Sequence, residues 1–315
     1  MINHIKYQLK KIQLVKKVLK WRHNEFYLNQ TQHQLNLAID VINKQNLADI
    51  KNKKALIQKA ACNKIKRSEL IVSLTTYGER INIVHITILS LLNQSIAADK
   101  VILWLAEDEF KLSELPNKLT QLCDFGLEIK FYKDIRSFKK LIPTLTEFQN
   151  NTIITFDDDV IYPSDQIEKL ITAHETYPKA IICHHARNVA LNSDNQPEAY
   201  NEWLFCTDET KPSEPNKNLF PVGIGGVLYP KNALHNDVMD EKTFTELCPK
   251  ADDLWFKVMA LKNNTLTMLV DNPRPYRDYL LIPQTQDGAL WQQNKFSNDA
   301  QLKNLLNAYP DIKFN

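Results

Sequence analysis

Three aspartates in a row, Asp157, Asp158 and Asp159, follow the apolar run Thr152-Ile-Ile-Thr-Phe156 and precede Val160-Ile161-Tyr162-Pro163. Adjacent carboxylates repel one another, so the run costs stability unless positive charge sits among them. A hard divalent cation meets that need, because Mg²⁺ or Mn²⁺ sites use one or two carboxylates together with phosphate oxygens of a substrate. The same run in a solvated turn would need no cation. A second acid site follows in Cys248-Pro-Lys-Ala-Asp252-Asp253-Leu-Trp-Phe-Lys-Val-Met259, where Asp252 and Asp253 fall in the first turn of a predicted helix. Carboxylates there are favoured by the helix dipole. An acid whose orientation is fixed in this way is also well placed to accept a proton.

Two basic stretches complete the set. Thr75-Thr76-Tyr77-Gly78-Glu79-Arg80 leaves the first predicted strand with hydroxyls, a ring and a guanidinium, and Asp134-Ile-Arg136-Ser137-Phe-Lys139-Lys140 follows the third. Lys and Arg at such ends can grip a diphosphate, and each taken alone reads as an ordinary solvated residue. Of the 6 glycines in the chain, Gly223, Gly225 and Gly226 share four positions. The backbone there must take a positive φ or approach a ligand or another segment closely.

The elements that must position these residues are legible as periodicity. Apolar runs predict strands over 70–74, 101–105, 127–131, 152–156 and 180–183, and amphipathic patterns predict helices over 81–93, 115–123, 138–148 and 165–177. That alternation implies βαβ units and a mostly parallel sheet, in which ligands sit beyond the carboxyl ends of the strands. The polar stretch 192–218, with Pro197, Pro212 and Pro215, is too long for a simple connection and reads as functional or mobile.

A length of 315 residues with 43% hydrophobic and 24% charged side chains is that of an ordinary soluble globular protein. Its net charge of +2 hides an asymmetry: residues 1–67 carry 15 Lys and Arg against 3 acids, a net of +12, and the remainder sums to −10. This extension has no Gly or Pro, and Ile5, Leu9, Ile12, Val15, Val18 and Leu19 recur at helical spacing among lysines. A basic amphipathic helix of this kind can lie on an anionic membrane surface or serve as a packing arm. No nucleic-acid-reading motif accompanies it, so no nucleic-acid partner is expected. The 5 cysteines are scattered without a CxxC pair, which argues against a disulfide framework or a thiolate zinc site and fits a reducing compartment. No signal-peptide core and no run of 18 apolar residues occurs. The expected location is the cytoplasm, at the inner face of the membrane if the extension docks there.

Taken in order, Val72-Ser-Leu-Thr-Thr-Tyr-Gly-Glu-Arg80, the Asp157–Asp159 run, the glycine turn and Ala251-Asp252-Asp253 resemble bacterial GT-A-type glycosyltransferases related to family 2. The resemblance spans about residues 68–295. It implies an α/β, GT-A (Rossmann-like) fold over 68–315, a mostly parallel sheet flanked by helices, with the basic helical extension 1–67 outside it. It also implies a nucleotide-sugar donor, by default a UDP-sugar, and Mn²⁺ or Mg²⁺. The acceptor would be a hydroxyl of a glycan or glycolipid in surface polysaccharide or lipo-oligosaccharide synthesis, which attacks the anomeric carbon of the donor with inversion as the nucleoside diphosphate leaves, the reaction of a hexosyltransferase. Asp157 matches the first acid of the family's DxD motif and Asp159 its metal-binding acid, both standing as metal candidates. Thr75, Tyr77, Arg80, Asp134, Lys140, Asp157 and Asp158 stand as donor-binding residues, and Gly223, Gly225 and Gly226 as the acceptor or sugar loop. Asp253 takes the place of the general base. Asp252 stands where the family has Glu, so both remain catalytic candidates.

Further features carry two readings each. Trp203, Trp255 and Trp291 are candidate sugar platforms or core. The segment 274–291 is a lid or a surface connection, and His184 and His185 read as structural histidines. Phe156-Asp-Asp-Asp-Val160 also matches the opening motif of haloacid-dehalogenase-like phosphatases, but those place the strand first, and here three βα units precede it. A sugar-nucleotide nucleotidyltransferase and a non-catalytic nucleotide-sugar or glycan-binding module are the remaining alternatives.

Overall fold

The runs predicted as strands form strands. The computed structural model describes residues 50–51, 69–282 and 290–314, with the side chains of 290–296 left aside. All belong to the unit Asp49–Asn315. The basic extension 1–67 therefore lies outside the described residues, apart from Ile50 and Lys51, which are helical. Strands β1 (Leu70–Thr75), β2 (Lys100–Ala106), β3 (Leu127–Tyr132) and β4 (Thr152–Thr155) fall within one residue of their predicted bounds. Leu70 to Leu74 of β1 and Val101 to Ala106 of β2 are buried, so these strands read as unbroken apolar runs rather than alternating ones. Ser73, the polar exception in β1, is satisfied by Thr144 Oγ1 at 2.8 Å, and Trp104 Nε1 of β2 donates to the same Thr144 hydroxyl at 2.8 Å.

The predicted helices appear in more broken form. Helix α1 (Val84–Leu92) follows a 3-10 turn at Gly78–Asn82, and α2 (Asn117–Thr120) passes into a 3-10 turn at Gln121–Phe125. A 3-10 turn at Arg136–Lys140 precedes α3 (Ile142–Glu147), whose Pro143 sits in the first turn where no N–H is needed. After β5 (Val160–Ile161) comes α4 (Gln166–Thr176), which leads into β6 (Ile181–Cys183).

The segment 192–218 is mostly loop, interrupted by a 3-10 turn at Tyr200–Glu202 and one short strand, and strands flank it on both sides. β7 (Ala186–Asn188), β8 (Leu204–Phe205) and β9 (Leu219–Pro221) form a three-stranded antiparallel sheet in the order β8-β7-β9, with Arg187 opposite Phe205 on one side and Phe220 on the other. Beyond the glycine turn runs β10 (Val227–Tyr229), then α5 (Glu241–Leu247), α6 (Asp252–Lys262), β11 (Thr267–Leu269), β12 (Leu280–Leu281), paired with β5, and α7 (Leu290–Ala308).

The main sheet has the order β11-β6-β10-β4-β1-β2-β3. Every neighbouring pair is parallel except the two made by β10, which is antiparallel to both β4 and β6. This is the mostly parallel α/β sheet the sequence predicts, with one inserted antiparallel strand it does not. β10 escapes sequence reading because three residues buried on both faces show no alternation. Strand order reverses at β1, with β2 and β3 on one side and β4 on the other. Ligands of open α/β sheets settle at such a switch point, beyond the carboxyl ends.

Trp203 and Trp255 belong to the core rather than to a sugar platform: they are 1% and 0% exposed, with Trp203 packed on Tyr200, Phe220 and Phe314, and Trp255 on Phe244 and Tyr309. Each large apolar side chain buried in this way contributes about 1.5–3 kcal/mol. The side chain of Trp291 lies outside the described residues. Among the described residues no helix is long and apolar enough to cross a membrane.

Candidate active site

The carboxyl ends of β1, β2, β3 and β4 open into one cleft of about 1010 Å³, completed by the loop after β9 and the start of α6. This volume is at the upper end of the about 300–1,000 Å³ usual for small-molecule sites. Its lining joins the two acid sites, which are nearly a hundred residues apart in sequence: Asp157, Asp158 and Asp159 on one wall, Asp252 and Asp253 on another.

The three adjacent aspartates are separated by where their side chains point. Asp158 turns inward and is buried. Thr76 Oγ1 donates to it at 2.5 Å, Arg80 Nη1 donates at 2.6 Å, and Thr87 Oγ1 binds its main-chain carbonyl at 2.9 Å. Burial pushes the Asp158 carboxyl up, while Arg80 and Thr76 pull it back. Arg80 also reaches Asp159 at 3.3 Å, and its guanidinium lies 5.2 Å from the ring centre of Tyr77. Asp157 turns the other way, toward Lys140 at 3.4 Å. Tyr162 underpins this loop: the Asp157 N–H donates to its hydroxyl at 3.2 Å, and that hydroxyl donates to the Ile224 carbonyl at 3.0 Å. The positive charge demanded by three adjacent carboxylates is thus supplied in part by Arg80 and Lys140.

The second acid site is built on α6 and on the turn after β3. Ser137 Oγ donates to Asp252 at 2.9 Å, Lys140 Nζ pairs with Asp252 at 2.8 Å, and the same ammonium lies 3.7 Å from Asp253. Lys140 is therefore one buried cation shared among three carboxylates, and they raise its pKa well above the ordinary lysine value although burial works against that. Asp253 receives the weakest share. Burial raises it, Lys140 lowers it, and the nearby Asp252 and Asp157 raise it again, leaving it at about 7. The Gly223 N–H donates to Asp253 Oδ2 at 3.2 Å, and 27% of its side chain stays exposed to the cleft, against 10% for Asp252. Arg136, in the left-handed region with φ 56°, ties the β3 turn to this site through Nη1 to the Pro249 carbonyl at 3.1 Å. Backbone strain of this kind at a non-glycine residue persists only where the surroundings impose it.

The structure brings together in the cleft Thr75, Tyr77, Arg80, Asp134, Lys140, Asp157, Asp158, Asp159, Gly223, Asp252 and Asp253. Asp134 accepts from the Arg136 N–H at 2.9 Å and pairs with Lys139. Gly225 and Gly226 do not line it. A Cβ on Gly225 would meet His184 and His185, and Gly226 (φ 89°) is pressed on Phe156, so the close approach there is of the chain to itself. His184 and His185 are held neutral by burial, at about 3 and about 4, and neither lines the cleft. From the segment read as a lid, Arg274 pairs with Asp165 at 3.6 Å and Tyr276 reaches the cleft, while 283–289 lie outside the described residues.

Sequence reasoning missed Thr76 as the partner of Asp158, Asp108 and Glu109 beyond β2, and the wall formed by Arg187, Tyr200, Phe205 and Asn298. The rule that ligands sit beyond strand ends would have found Asp108 and Glu109. The Arg187 wall is assembled from residues over a hundred positions apart and has no local signal.

Among the described residues no group of three or more His, Cys, Asp or Glu side chains converges to hold a metal ion. Asp157 and Asp159 keep 34% and 13% of their side chains exposed, so a divalent ion held by these two would complete its shell from substrate phosphates and water, the usual arrangement for Mg²⁺. The lining supports that fit, with 8 carboxylates against 5 Lys and Arg side chains. An anionic phosphate ligand entering such a cleft is repelled unless a further cation comes with it.

No protein-family model and no curated protein matches the sequence. Among solved structures the chain is similar to the TarS fragment of S. aureus in complex with UDP, at 9% identity and a TM-score of 0.47, covering 78% of this chain and 66% of that one, just under two thirds of its length. It is similar also to that fragment in a second crystal structure, at 12% identity and a TM-score of 0.45 over 76% of this chain and 71% of that one. A 4-diphosphocytidyl-2C-methyl-D-erythritol synthase aligns at 11% identity and a TM-score of 0.41, over 76% of this chain and all of that one. Overlaps this loose carry nothing about chemistry, which rests on the residues of the cleft.

Proposed function

We propose that this chain is a glycosyltransferase of GT-A type, moving a sugar from a nucleotide-sugar donor, with UDP as the default nucleotide, to a hydroxyl of a glycan or glycolipid. The observation that carries this reading is Asp253. It is a carboxylate brought to a pKa of about 7, open to the same cleft as the Asp157–Asp159 cluster. A general base is most effective with a pKa near the working pH.

The chain's own groups divide the work. Asp157 and Asp159 would hold Mn²⁺ or Mg²⁺, which when bound offsets the charge of the donor diphosphate. Arg80, fixed by Asp158, keeps a guanidinium near the same place. Asp253 takes the proton from the attacking acceptor hydroxyl as positive, oxocarbenium-like character builds on the anomeric carbon. Asp252 and Lys140 orient that base, and the Gly223 N–H fixes its second oxygen. A hydroxyl activated by this base and attacking from the face opposite the leaving phosphate would give inversion.

The test is a thermal-shift titration with UDP, GDP and CMP and their common sugar conjugates, each with and without Mn²⁺, on the wild type and Asp159→Ala. A ligand that binds only the native state raises the melting temperature by mass action. Metal-dependent stabilisation by one nucleotide, absent in Asp159→Ala, is expected, and no shift with any nucleotide would overturn the proposal. A nucleotidyltransferase would release pyrophosphate, and a binding module would hold the donor without releasing nucleoside diphosphate when acceptors are supplied. A role in surface polysaccharide or lipo-oligosaccharide synthesis at the inner membrane face follows if residues 1–67 dock on anionic lipid. Liposome flotation of the intact chain against one starting at Arg67 tests this, and equal partitioning would count against docking.

A further inference from the structure

The cations of the acid walls are engaged: Arg80 with Asp158 and Asp159, Lys139 with Asp134, Lys140 with three carboxylates, and Arg136 beside Asp134, whose carboxyl it helps to lower, with its Nη1 on the Pro249 carbonyl. Arg187 differs. Among the described residues it has no carboxylate partner, although it lines the same cleft. Its guanidinium carbon lies 4.0 Å from the ring centre of Phe205 and 4.8 Å from that of Tyr200, and its Nη1 donates to the Trp203 carbonyl at 2.7 Å. Arg187 and Asn298 approach the Tyr200 hydroxyl and work against the rise that burial gives its pKa. This is an arginine held in one orientation by rings and a carbonyl, with its charge left uncompensated.

We propose that this wall is the acceptor subsite and that it selects a sugar carrying an oxyanion, a carboxylate or a phosphate. In naming the ligand an acceptor the proposal rests on the transferase reading above. Three observations lead to it. First, the two rings and the Trp203 carbonyl engage the guanidinium through contacts that cancel none of its charge, and its remaining N–H groups can pair with planar carboxylate or phosphate oxygens. Second, this corner has spare polar capacity: Arg187 Nε, a donor suited to an oxyanion, and Asn298 Oδ1, an acceptor suited to a sugar hydroxyl, are buried without a hydrogen-bond partner. Third, the position is that of the incoming nucleophile. Arg187 on β7 faces Phe220 on β9, and that strand runs directly to Gly223, whose N–H holds Asp253. The wall therefore stands on the side of the base, and Asp253 acts on the Tyr200 hydroxyl of that wall.

The neighbouring rings suit a sugar. Phe205 and Tyr276 are 46% and 44% exposed at the cleft, large apolar surfaces left open where a pyranose can lay its C–H face. Elsewhere the carboxylate-rich lining repels an anion, so Arg187 is the seat at which a negative group on the acceptor gains rather than loses. A neutral sugar would stack on the same rings but leave the guanidinium without a partner.

The experiment is ligand-observed NMR of the full chain with methyl β-glucuronide, methyl β-glucoside 6-phosphate and neutral methyl β-glucoside, on the wild type, Arg187→Gln and Arg187→Lys. UDP with Mn²⁺ is run in parallel as a separate readout. The wild type is expected to prefer at least one anionic glycoside over the neutral one by about tenfold, equivalent to about 1.4 kcal/mol. The two anionic arms tell carboxylate from phosphate. Arg187→Gln is expected to lose the preference while still binding UDP, which shows that it is folded, and Arg187→Lys to keep part of it. Equal binding of neutral and anionic glycosides, a preference that survives in Arg187→Gln, or no binding of either anionic glycoside overturns the proposal. Failure of UDP to bind while the anionic preference stands would instead sink the transferase reading and leave an anionic-glycan site.

Discussion

The two acid sites share a composition and differ in how their charge is met. At the end of β4, the buried Asp158 has a guanidinium at 2.6 Å and a hydroxyl at 2.5 Å to itself, and its neighbour Asp159 draws on the same arginine. At the start of α6, one ammonium serves Asp252, Asp253 and Asp157 together. The first site is a clamp that fixes the loop bearing Asp157 and Asp159. The second leaves one carboxylate short of positive charge, and that shortage lifts Asp253 to about 7. Asp158, although burial still lifts its carboxyl, is tied by two direct donors and acts as an anchor, whereas the less well paired Asp253 holds a proton that can be exchanged at neutral pH.

The comparison breaks most visibly at Asp253. In Asp253→Asn, turnover is expected to fall by about 10²–10⁴-fold, the usual contribution of a positioned base, with nucleotide binding retained. In the wild type, kcat/KM should rise with pH through about 7 as the carboxyl ionises. Stability runs the opposite way. The folded state keeps this proton above the pH at which an unfolded aspartate loses it, so stability falls as pH rises from the ordinary aspartate range to about 7 and is level beyond. Asp253→Asn should therefore melt higher than the wild type at pH 8, with the gain vanishing toward pH 4. A variant less stable at pH 8 would remove the under-compensation argument.

At the clamp, Arg80→Met should cost about 3–5 kcal/mol in denaturant unfolding because Asp158 is left buried and unpaired, and adding Asp158→Asn should restore much of that loss. If the double variant is no better than the single one, the pair is not what holds the loop. Between the two sites, Lys140→Met should move the activity limb of Asp253 upward by about 1–3 pH units, the range by which a close opposite charge lowers a carboxyl. An unmoved limb would show that Lys140 does not set the base. The smallest effect is expected for Gly223→Ala. Its Cβ would sit 3.1 Å from both Asp157 Oδ1 and Lys140 Nζ, which can give way by a few tenths of an ångström, so unfolding should change by less than about 1 kcal/mol. Its effect on the pH profile reports how tightly Gly223 holds Asp253.

How much of this was legible follows from range. β1 to β4 and the acids after β4 are local patterns, and an apolar run ending in carboxylates announces both the strand and its functional end. The first turn of α6 is local too. Which aspartate faces which cation is not, because Arg80 lies 78 residues before Asp158 and Ser137 lies 115 before Asp252. The glycine cluster allows an approach either to a ligand or to another segment, and the sequence cannot say that two of its three members take the second course, against Phe156 and the paired histidines. Trp203 and Trp255 carry no sequence mark that separates a platform from core. Of the two strands that flank β7 and Arg187, β8 falls inside the polar, proline-bearing stretch 192–218 and β9 just beyond it, and both are too short to show a period.

The antiparallel strand β10 also bears on the order in which the molecule can be made. Its partners β4 and β6 are synthesised about 40 residues or more before it, yet it lies between them. While the chain emerges from the ribosome, β3-β2-β1-β4 can assemble as a half-sheet, but the free edge of β4 stays open until Tyr229 is out. An open, apolar edge is a template for pairing with another chain. Translation intermediates that stop within 192–225 should therefore be the aggregation-prone ones, and those that end beyond β11 should be protected, as pulse proteolysis of arrested nascent chains would reveal. The strand that joins the two halves of the sheet thus also covers the open edge of β4, and only β11 remains to be added at the far side.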